Sequence, residues 1–272
     1  MLALVADKAS PSLLKESKVD LNLHQRTVVI LGPAGPTIQN LMMALAQNGA
    51  DIALIDADAL KMQKFCQVIS DQREMNEKFG RATAIPVQWE NPASLKDAIG
   101  KAAQTFGSID IYIDAMMESK PSPFEVGAEN DLSAIIQKNL TTTLQVTEFV
   151  SSFLKGRKRG RIIYLLQDSM NRGLAVDATA TAARTGLIAF SKTLAKQLQD
   201  VNVTVNCLSL GLTEEYLLGH FPGSASIKEA HEKMKTVDQS IRITEPEKAA
   251  NAIFYLCSPL GAALTGQHLV LS

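Results

Sequence analysis

The architecture follows most directly from TVVILGPAGPTIQNLMMALAQNGADIALID, residues 27–56. The β-branched apolar run 27–31 predicts a buried strand that stops at the turn GPAGP. Apolar residues at helical spacing follow and end at Gly49, a residue type that commonly terminates helices. The run DIALID (51–56) predicts the next strand, so the segment forms one parallel βαβ unit.

The same alternation continues to the end of the chain. Further strands are predicted at 83–87, 109–113, 160–166, 202–210 and 267–271, and further helices at 59–79, 92–107, 129–154, 178–199 and 246–257. Seven short apolar strands alternating with helices predict an α/β fold: a single Rossmann-type, doubly wound parallel sheet with seven strands and helices on both faces. Because the connections are short, we expect one domain over residues 26–272, preceded by an N-terminal extension, residues 1–25.

Composition limits the classes of protein to which the chain can belong. Of its 272 residues 46% are apolar and 20% charged, the balance of a folded protein, and the net charge is −1. This near-neutrality gives no reason to expect nucleic acid as a partner, and no apolar run is long enough to span a membrane. Three separated cysteines fit neither a disulfide framework nor a zinc site. With no secretory signal at the start of the sequence, they predict a cytoplasmic protein without a metal site.

The turn after the first strand is a candidate dinucleotide site. Gly32 and Gly35 lie between a strand and a helix N-terminus, where backbone N–H groups can hold a pyrophosphate. Asp56, 24 positions after Gly32, has the spacing expected of an acid that binds the adenosine ribose. No Arg or Lys stands beside Asp56, which favours NAD over NADP.

From residue 26 to its end the chain resembles the short-chain dehydrogenase/reductase family. The strongest match is the helix RTGLIAFSKTLAKQL (184–198) with the strand NVTVNCLSLGLTEE (202–215). The family's loop TGxxxGxG is matched only at Gly32. Pro36 and Ile38 replace its second and third glycines, and they remove an N–H and add bulk where the phosphates would approach. The loop is therefore either a weakened phosphate site or an ordinary strand-to-helix turn, and these residues favour the turn.

The resemblance also locates the family's catalytic positions. Ala180 stands where the catalytic tyrosine belongs, Arg184 where the lysine belongs, and Gln167 where the serine belongs. Only Asn139 keeps the family's residue type; the resemblance implies that it props open the long helix and anchors a water of the proton relay. Gln88 replaces the family's adenine-side Asp. The four residues from Asp114 replace its Asn-Asn-Ala-Gly segment, and Leu210 and Gly211 stand for its Pro-Gly segment.

These replacements predict that classical oxidoreductase catalysis is lost. Alanine cannot donate a proton to a carbonyl oxygen, and losing general acid catalysis costs about 10²- to 10⁴-fold in rate. No tyrosine of the chain is followed by Lys four or seven positions later. We expect a protein that acts by binding, as a ligand sensor or as a non-catalytic oligomer subunit, with no cofactor or with weak NAD binding at Gly32, Gly35, Asp56 and Gln88. The alternative is an atypical NAD-dependent oxidoreductase of carbonyl or alcohol substrates with a rearranged site.

Three other features have open interpretations. Helices 129–154 and 178–199 resemble the family's dimer seam, which implies a dimer or tetramer with copies of itself or with an active relative; intramolecular packing is the alternative. The basic residues of 155–161 fit either a solvated turn or an anion-binding patch. The stretch LLGHF (217–221) fits either a substrate lid or a cover over exposed core.

Overall fold

One parallel sheet organises the computed structural model, which describes residues 23–271 except 90, 117–131, 168–177, 215, 216, 218–220, 222 and 237–242. Its strands are β1 (Thr27–Leu31), β2 (Asp51–Asp56), β3 (Ala82–Pro86), β4 (Ile111–Asp114), β5 (Gly160–Gln167), β6 (Val203–Leu210) and β7 (His268–Val270). Across the sheet they run in the order β3-β2-β1-β4-β5-β6-β7. The predicted doubly wound, seven-stranded sheet is confirmed.

Helices cover both faces of this sheet. They are α1 (Pro36–Gln47), α2 (Ala59–Met75), α3 (Pro92–Phe106), α4 (Leu132–Ile136), α5 (Thr142–Arg157), α6 (Ala178–Gln197), α7 (Ile227–Lys235) and α8 (Pro246–Cys257). Within the described part of the chain, no helix combines the length and the apolarity needed to cross a bilayer.

Two apolar layers form the core because side chains alternate along each strand. Val28 and Ile30 of β1 face one layer, which is completed by α1, α2 and α8. Val29 and Leu31 face the other, which is completed by α3, α5 and α6. Both faces of β1 are therefore fully buried, as its unbroken apolar sequence predicts.

The helix predicted at 129–154 is interrupted. Between α4 and α5, residues Gln137–Thr141 form one π-helical turn, whose carbonyl-to-donor spacing is wider than in an α-helix. Side chains bond to this turn: the Thr142 hydroxyl donates to the Gln137 carbonyl, and the Asn139 amide donates to the Ile135 carbonyl. Sequence periodicity misses the interruption because residues on both sides of the turn have helical character.

Candidate functional site

The candidate site lies at the carboxyl edge of the sheet, defined here by the carboxyl ends of β1, β2, β4 and β5. Strand order reverses at β1, which has β2 on one side and β4 on the other. Ligands of doubly wound sheets bind in the crevice at such a reversal. The structure brings four of the singled-out positions to this edge: Gly32 follows β1, and Asp56, Asp114 and Gln167 end β2, β4 and β5.

Gly32 is required by close packing. Its φ is +139°, and a Cβ at this position would lie 2.6 Å from the backbone carbon of Ala115, which follows β4. The Gly32 N–H donates to the carbonyl of Ile55 at 3.0 Å, which fixes the loop to β2. This glycine therefore has a structural role whether or not a phosphate binds.

The loop after β1 uses part of its hydrogen-bonding capacity internally. The Ala34 N–H donates to Asp56 Oδ2 at 3.2 Å, and the Gly35 N–H donates to the Pro33 carbonyl at 2.9 Å. The Asp56 carboxylate is 7% exposed, and its Oδ1 accepts from the N–H of Ala57. Asp56 thus lies against the loop, at the place where an adenosine ribose is expected, and its contacts also stabilise a tight turn.

The two residues that replace the family's glycines lie at the start of α1. Pro36 is the first residue of the helix, where a missing N–H is tolerated, and Gly35 is the N-cap without a side-chain hydrogen bond. Ile38 is 4% exposed and packs in the apolar layer with Ala34. The expectation that Ile38 adds bulk on the ligand side is wrong, because its side chain fills the space between helix and sheet.

The positions of the family's tyrosine and lysine are both buried. On α6, Ala180 is 2% exposed and Arg184 is 3% exposed. Arg184 Nε and Nη2 donate to Asn139 Oδ1 at 3.2 and 3.0 Å. The guanidinium of Arg184 therefore joins α6 to the π-helical turn.

Asp114 is a charged group whose surroundings sequence reasoning did not foresee. Tyr112 Oη donates to its Oδ2 at 2.9 Å, and the Met116 N–H donates to its Oδ1 at 3.0 Å. Burial raises the pKa of Asp114 above its ordinary value, although hydrogen bonds from Met116, Tyr112 and Thr143 and the charge of Arg184 act in the opposite direction. An acidic residue ending an otherwise apolar strand is the sequence signal that could have identified it.

The buried tyrosines do not supply the missing phenol. Tyr112 and Tyr164 are at most 1% exposed, and burial raises the pKa of each well above its ordinary value, away from the neutral range that proton transfer needs. The Tyr164 hydroxyl lies 2.9 Å from that of Thr147, inside the apolar layer of α5 and α6. Tyr164 therefore belongs to the core. Tyr255 lies on α8, and Tyr216 is outside the described residues.

The structure shows fewer contacts for the other residues that the sequence assigned to the site. Gln88 follows β3 with an exposed side chain, next to half-buried Trp89, which packs against the layer of α3 and α5. Gln167 is the last residue of β5 and pairs in register with Leu210 of β6. Asp177, an acid three residues before Ala180, lies outside the described residues.

The segment after β6 forms a small apolar cluster of its own. Leu217 is fully buried, and Phe221 packs beside it against Met234 of α7. For Leu217 and Phe221 these contacts fit a cover over core, whereas residues 218–220 lie outside the described residues. His231 lies on α7, and within the described ranges no group of three or more His, Cys, Asp or Glu side chains is placed to hold a metal ion.

The carboxyl edge fits a nicotinamide dinucleotide in its main elements. The N-terminus of α1 points into the crevice without a capping side chain, which suits a pyrophosphate, and Asp56 stands where the ribose would lie. A bound nicotinamide would supply hydride transfer. The residues that would hold the dinucleotide are the first turn of α1 and Asp56.

Comparisons with known proteins agree with this architecture. The family model described as enoyl-(acyl carrier protein) reductase matches residues 40–272. The 3-oxoacyl-[acyl-carrier-protein] reductase of Vibrio cholerae is 24% identical over 253 residues, covering 92% of this chain and 96% of the relative. A short-chain dehydrogenase/reductase from Serratia marcescens superposes with a TM-score of 0.77 at 20% identity, covering 92% of this chain and 97% of that one.

One solved structure bears on the cofactor. L-Sorbose reductase from Gluconobacter frateurii, complexed with NADPH and L-sorbose, has a TM-score of 0.77 at 19% identity and covers 93% of this chain and 97% of its own. The expectation of no cofactor or weak NAD, with NADP disfavoured, is wrong: the matching family model describes a reductase, and this structure of the same fold holds NADPH. The chain belongs to the short-chain dehydrogenase/reductase family.

Proposed function

We propose that this protein binds a nicotinamide dinucleotide in the crevice at the carboxyl edge but has lost the tyrosine-dependent proton transfer of its family. It then acts through binding, as a ligand sensor or as a non-catalytic subunit. The domain that does so spans residues 26–272, with 1–25 as an extension.

The state of Arg184 is the observation that carries this proposal. A catalytic cation at this position has to reach the tyrosine and the cofactor ribose. Here two of the guanidinium nitrogens donate to Asn139 and the side chain is 3% exposed. One turn away, Ala180 has no proton to donate. The family's phenol and the cation that would lower its pKa are thus replaced by the methyl group of Ala180 and by Arg184, which bonds to the π-helical turn.

We further propose that copies of the chain associate through α4–α5 and α6. Leu132 and Ile136 on α4 are 44% and 43% exposed, and such apolar side chains on the helix of the expected seam favour contact with a partner. All three cysteines are unpaired and buried, which supports a reducing compartment such as the cytoplasm.

The test measures binding and turnover on the same preparation. Trp89 is the only tryptophan, so its fluorescence reports on ligands near the end of β3 during titration with NADH and with NADPH. We expect saturable quenching, with weaker binding in Asp56→Ala. Asp71→Ala is the matched control, because Asp71 is an exposed acid on α2, away from the crevice, whose carboxylate accepts from the Gln67 amide.

Turnover is followed by the absorbance of NADH and NADPH with 3-oxoacyl, diketone and ketose substrates. We expect rates at least about 10²- to 10⁴-fold below those of ordinary enzymes, which turn over at about 1–10³ s⁻¹. Turnover in that ordinary range refutes the loss of catalysis. Absence of quenching at millimolar NADH and NADPH refutes the binding function.

A second candidate function rests on Asp114. Its buried carboxyl, at the end of β4 and within electrostatic reach of Arg184, has a raised pKa and is an acid that could hold a proton at the carboxyl edge. This alternative is a reductase with a rearranged site. It requires turnover that Asp114→Asn abolishes while dinucleotide binding persists.

A further inference from the structure

The amino edge of the sheet, opposite the carboxyl edge, gathers arginines around one buried acid. Asp110, which precedes β4, is 1% exposed. Its Oδ1 accepts from Arg26 Nη1 at 3.3 Å, from Arg157 Nη2 at 3.4 Å and from Arg159 Nε at 3.0 Å. Residues before β1, at the end of α5 and before β5 thus converge on a single oxygen atom.

Among the described residues, the arginine cluster (Arg26, Arg157, Arg159) carries more positive charge than the one carboxylate that it contacts. Asp110 is also saturated, because its Oδ2 accepts from the Thr27 N–H and from the Ser108 hydroxyl. Three guanidinium groups against one carboxylate leave a local charge of about +2.

Another acid on the same edge, at the start of β2, does not reduce this excess. Asp51, the first residue of β2, is bonded through both carboxylate oxygens to Arg81. Its charge is therefore compensated by its own arginine.

Arg161 adds a fourth cation beside the cluster. It is the second residue of β5, and its Nη1 donates to the Gly160 carbonyl. Its Nε is buried and has no hydrogen-bond partner among the described residues. Burial lowers the pKa of Arg161, Cys257 acts in the opposite direction, and the nearby charge of Arg26 lowers the pKa further. Gathering like charges in this way is unfavourable unless an anion compensates them.

We propose that the arginine cluster is a binding site for a small phosphate-bearing anion. A guanidinium has five N–H donors in a planar fork suited to phosphate, and the contacts with Asp110 use one nitrogen of each arginine. The side chains of Arg26, Arg157 and Arg159 are 34%, 40% and 42% exposed, so their outer parts face solvent. Because all three surround Asp110, they lie close together, which favours a compact anion over the extended surface of an acidic protein.

This site is separate from the dinucleotide crevice, because it lies at the opposite ends of β1, β4 and β5. Its affinity and that of the crevice can therefore be changed independently. The basic segment 155–161, for which the sequence left a solvated turn and an anion patch open, supplies two of the three arginines.

The experiment is calorimetric titration of the full chain with inorganic phosphate, pyrophosphate and glycerol phosphate, against sodium chloride at matched ionic strength. We expect saturable phosphate binding that is weakened about tenfold or more in Arg159→Gln, since one charge-assisted hydrogen-bonding partner is lost. Lys158→Gln is the control, because this exposed neighbour is not among the side chains that bond to Asp110 and should change the affinity less than about twofold. Arg26→Gln is the second variant, in case Arg159→Gln does not fold.

The readouts separate the possible sources of a signal. Tighter binding of glycerol phosphate than of inorganic phosphate assigns the site to phosphate esters, whereas equal binding assigns it to free phosphate. The proposal is overturned by heats that do not saturate, by equal heats with chloride, or by unchanged affinity in both arginine variants. An equal loss of NADH binding in Arg159→Gln also overturns it, because the phosphate would then occupy the crevice.

Discussion

Replacing Arg184 by methionine tests whether this arginine is a structural tie between α6 and the π-helical turn. Two hydrogen bonds from the guanidinium to Asn139 Oδ1, at 3.2 and 3.0 Å, are lost. Each is worth about 1.5–3 kcal/mol, and the apolar methionine offsets part of the loss by packing. We expect the free energy of unfolding to fall by about 3 kcal/mol. At about 2–4 °C per kcal/mol for a chain of this size, Tm falls by about 6–12 °C.

Urea denaturation at several pH values gives this prediction a sharper form. Asp114 has a raised pKa in the folded protein. Its contribution to the free energy of unfolding is therefore most favourable below its ordinary pKa, and it is lost as the pH rises through the pKa of the folded state. Without the charge of Arg184 this pKa rises further. The loss in free energy of unfolding caused by Arg184→Met should therefore be larger at pH 7 than near pH 4.

Arg184→Lys is the matched control, because it keeps the charge and loses the planar fork. We expect an intermediate loss of stability, about 1–2 kcal/mol, with the pH dependence of the original protein. If Arg184→Met is as stable as the original protein, Arg184 is not a structural tie, and its guanidinium is free to serve the crevice.

Three further predictions concern packing, acid stability and thiol reactivity. Gly32→Ala should lose about 3 kcal/mol or more in urea denaturation, because its Cβ meets the backbone after β4 at 2.6 Å. Asp110→Asn should lose about 3 kcal/mol at pH 7, because three guanidinium groups lose their carboxylate. Burial alone would raise the pKa of Asp110, but the Thr27 hydrogen bond and the arginine charges hold it below its ordinary value, so this stabilisation is present above about pH 4 and lost as the pH falls further. Cys257, whose pKa burial raises to about 12, should react with a thiol reagent at pH 8 only on unfolding.

Each of these has a control. Gly100→Ala lies inside α3 with no atom within 4 Å of the added Cβ, so it should be neutral or stabilise by up to about 1 kcal/mol. Equal losses for Gly32 and Gly100 would contradict the packing argument. Acid unfolding of Asp110→Asn should depend less on pH below 4 than that of the original protein; identical pH profiles would exclude the carboxylate as the cause. Rapid labelling of Cys257 in the native protein would show that its burial is not maintained.

The sheet could be predicted from sequence because strand and helix periods are local signals. Strands β1 to β6 are rich in apolar residues and have the length of a parallel strand, although β3 lies half-buried at the sheet edge, and the order of elements leaves few topologies. Side-chain partners are not local. That Ile38 packs into the core rather than the crevice depends on how α1 is rotated against the sheet, and that Arg184 meets Asn139 depends on two helices distant in sequence.

The cofactor prediction was wrong for a related reason. It counted the losses at Pro36 and Ile38 as losses of binding, since the family pattern is a pattern of residue types. In the structure Pro36 begins α1 without disturbing it and Ile38 lies away from the crevice. The amino edge was also underestimated, because Arg26 is more than 100 residues from Arg157 along the chain.

The π-helical turn has a consequence for the long helix that contains it. One additional residue in a helical turn shifts the angular phase of the residues before it by about 100° relative to the residues after it. Beyond the turn, Val146, Val150 and Leu154 lie toward the interior, whereas Leu132 and Ile136 before it lie toward solvent. The inserted position thus directs the apolar residues after the turn to the core and those before it to solvent, and deleting it would realign the two sets.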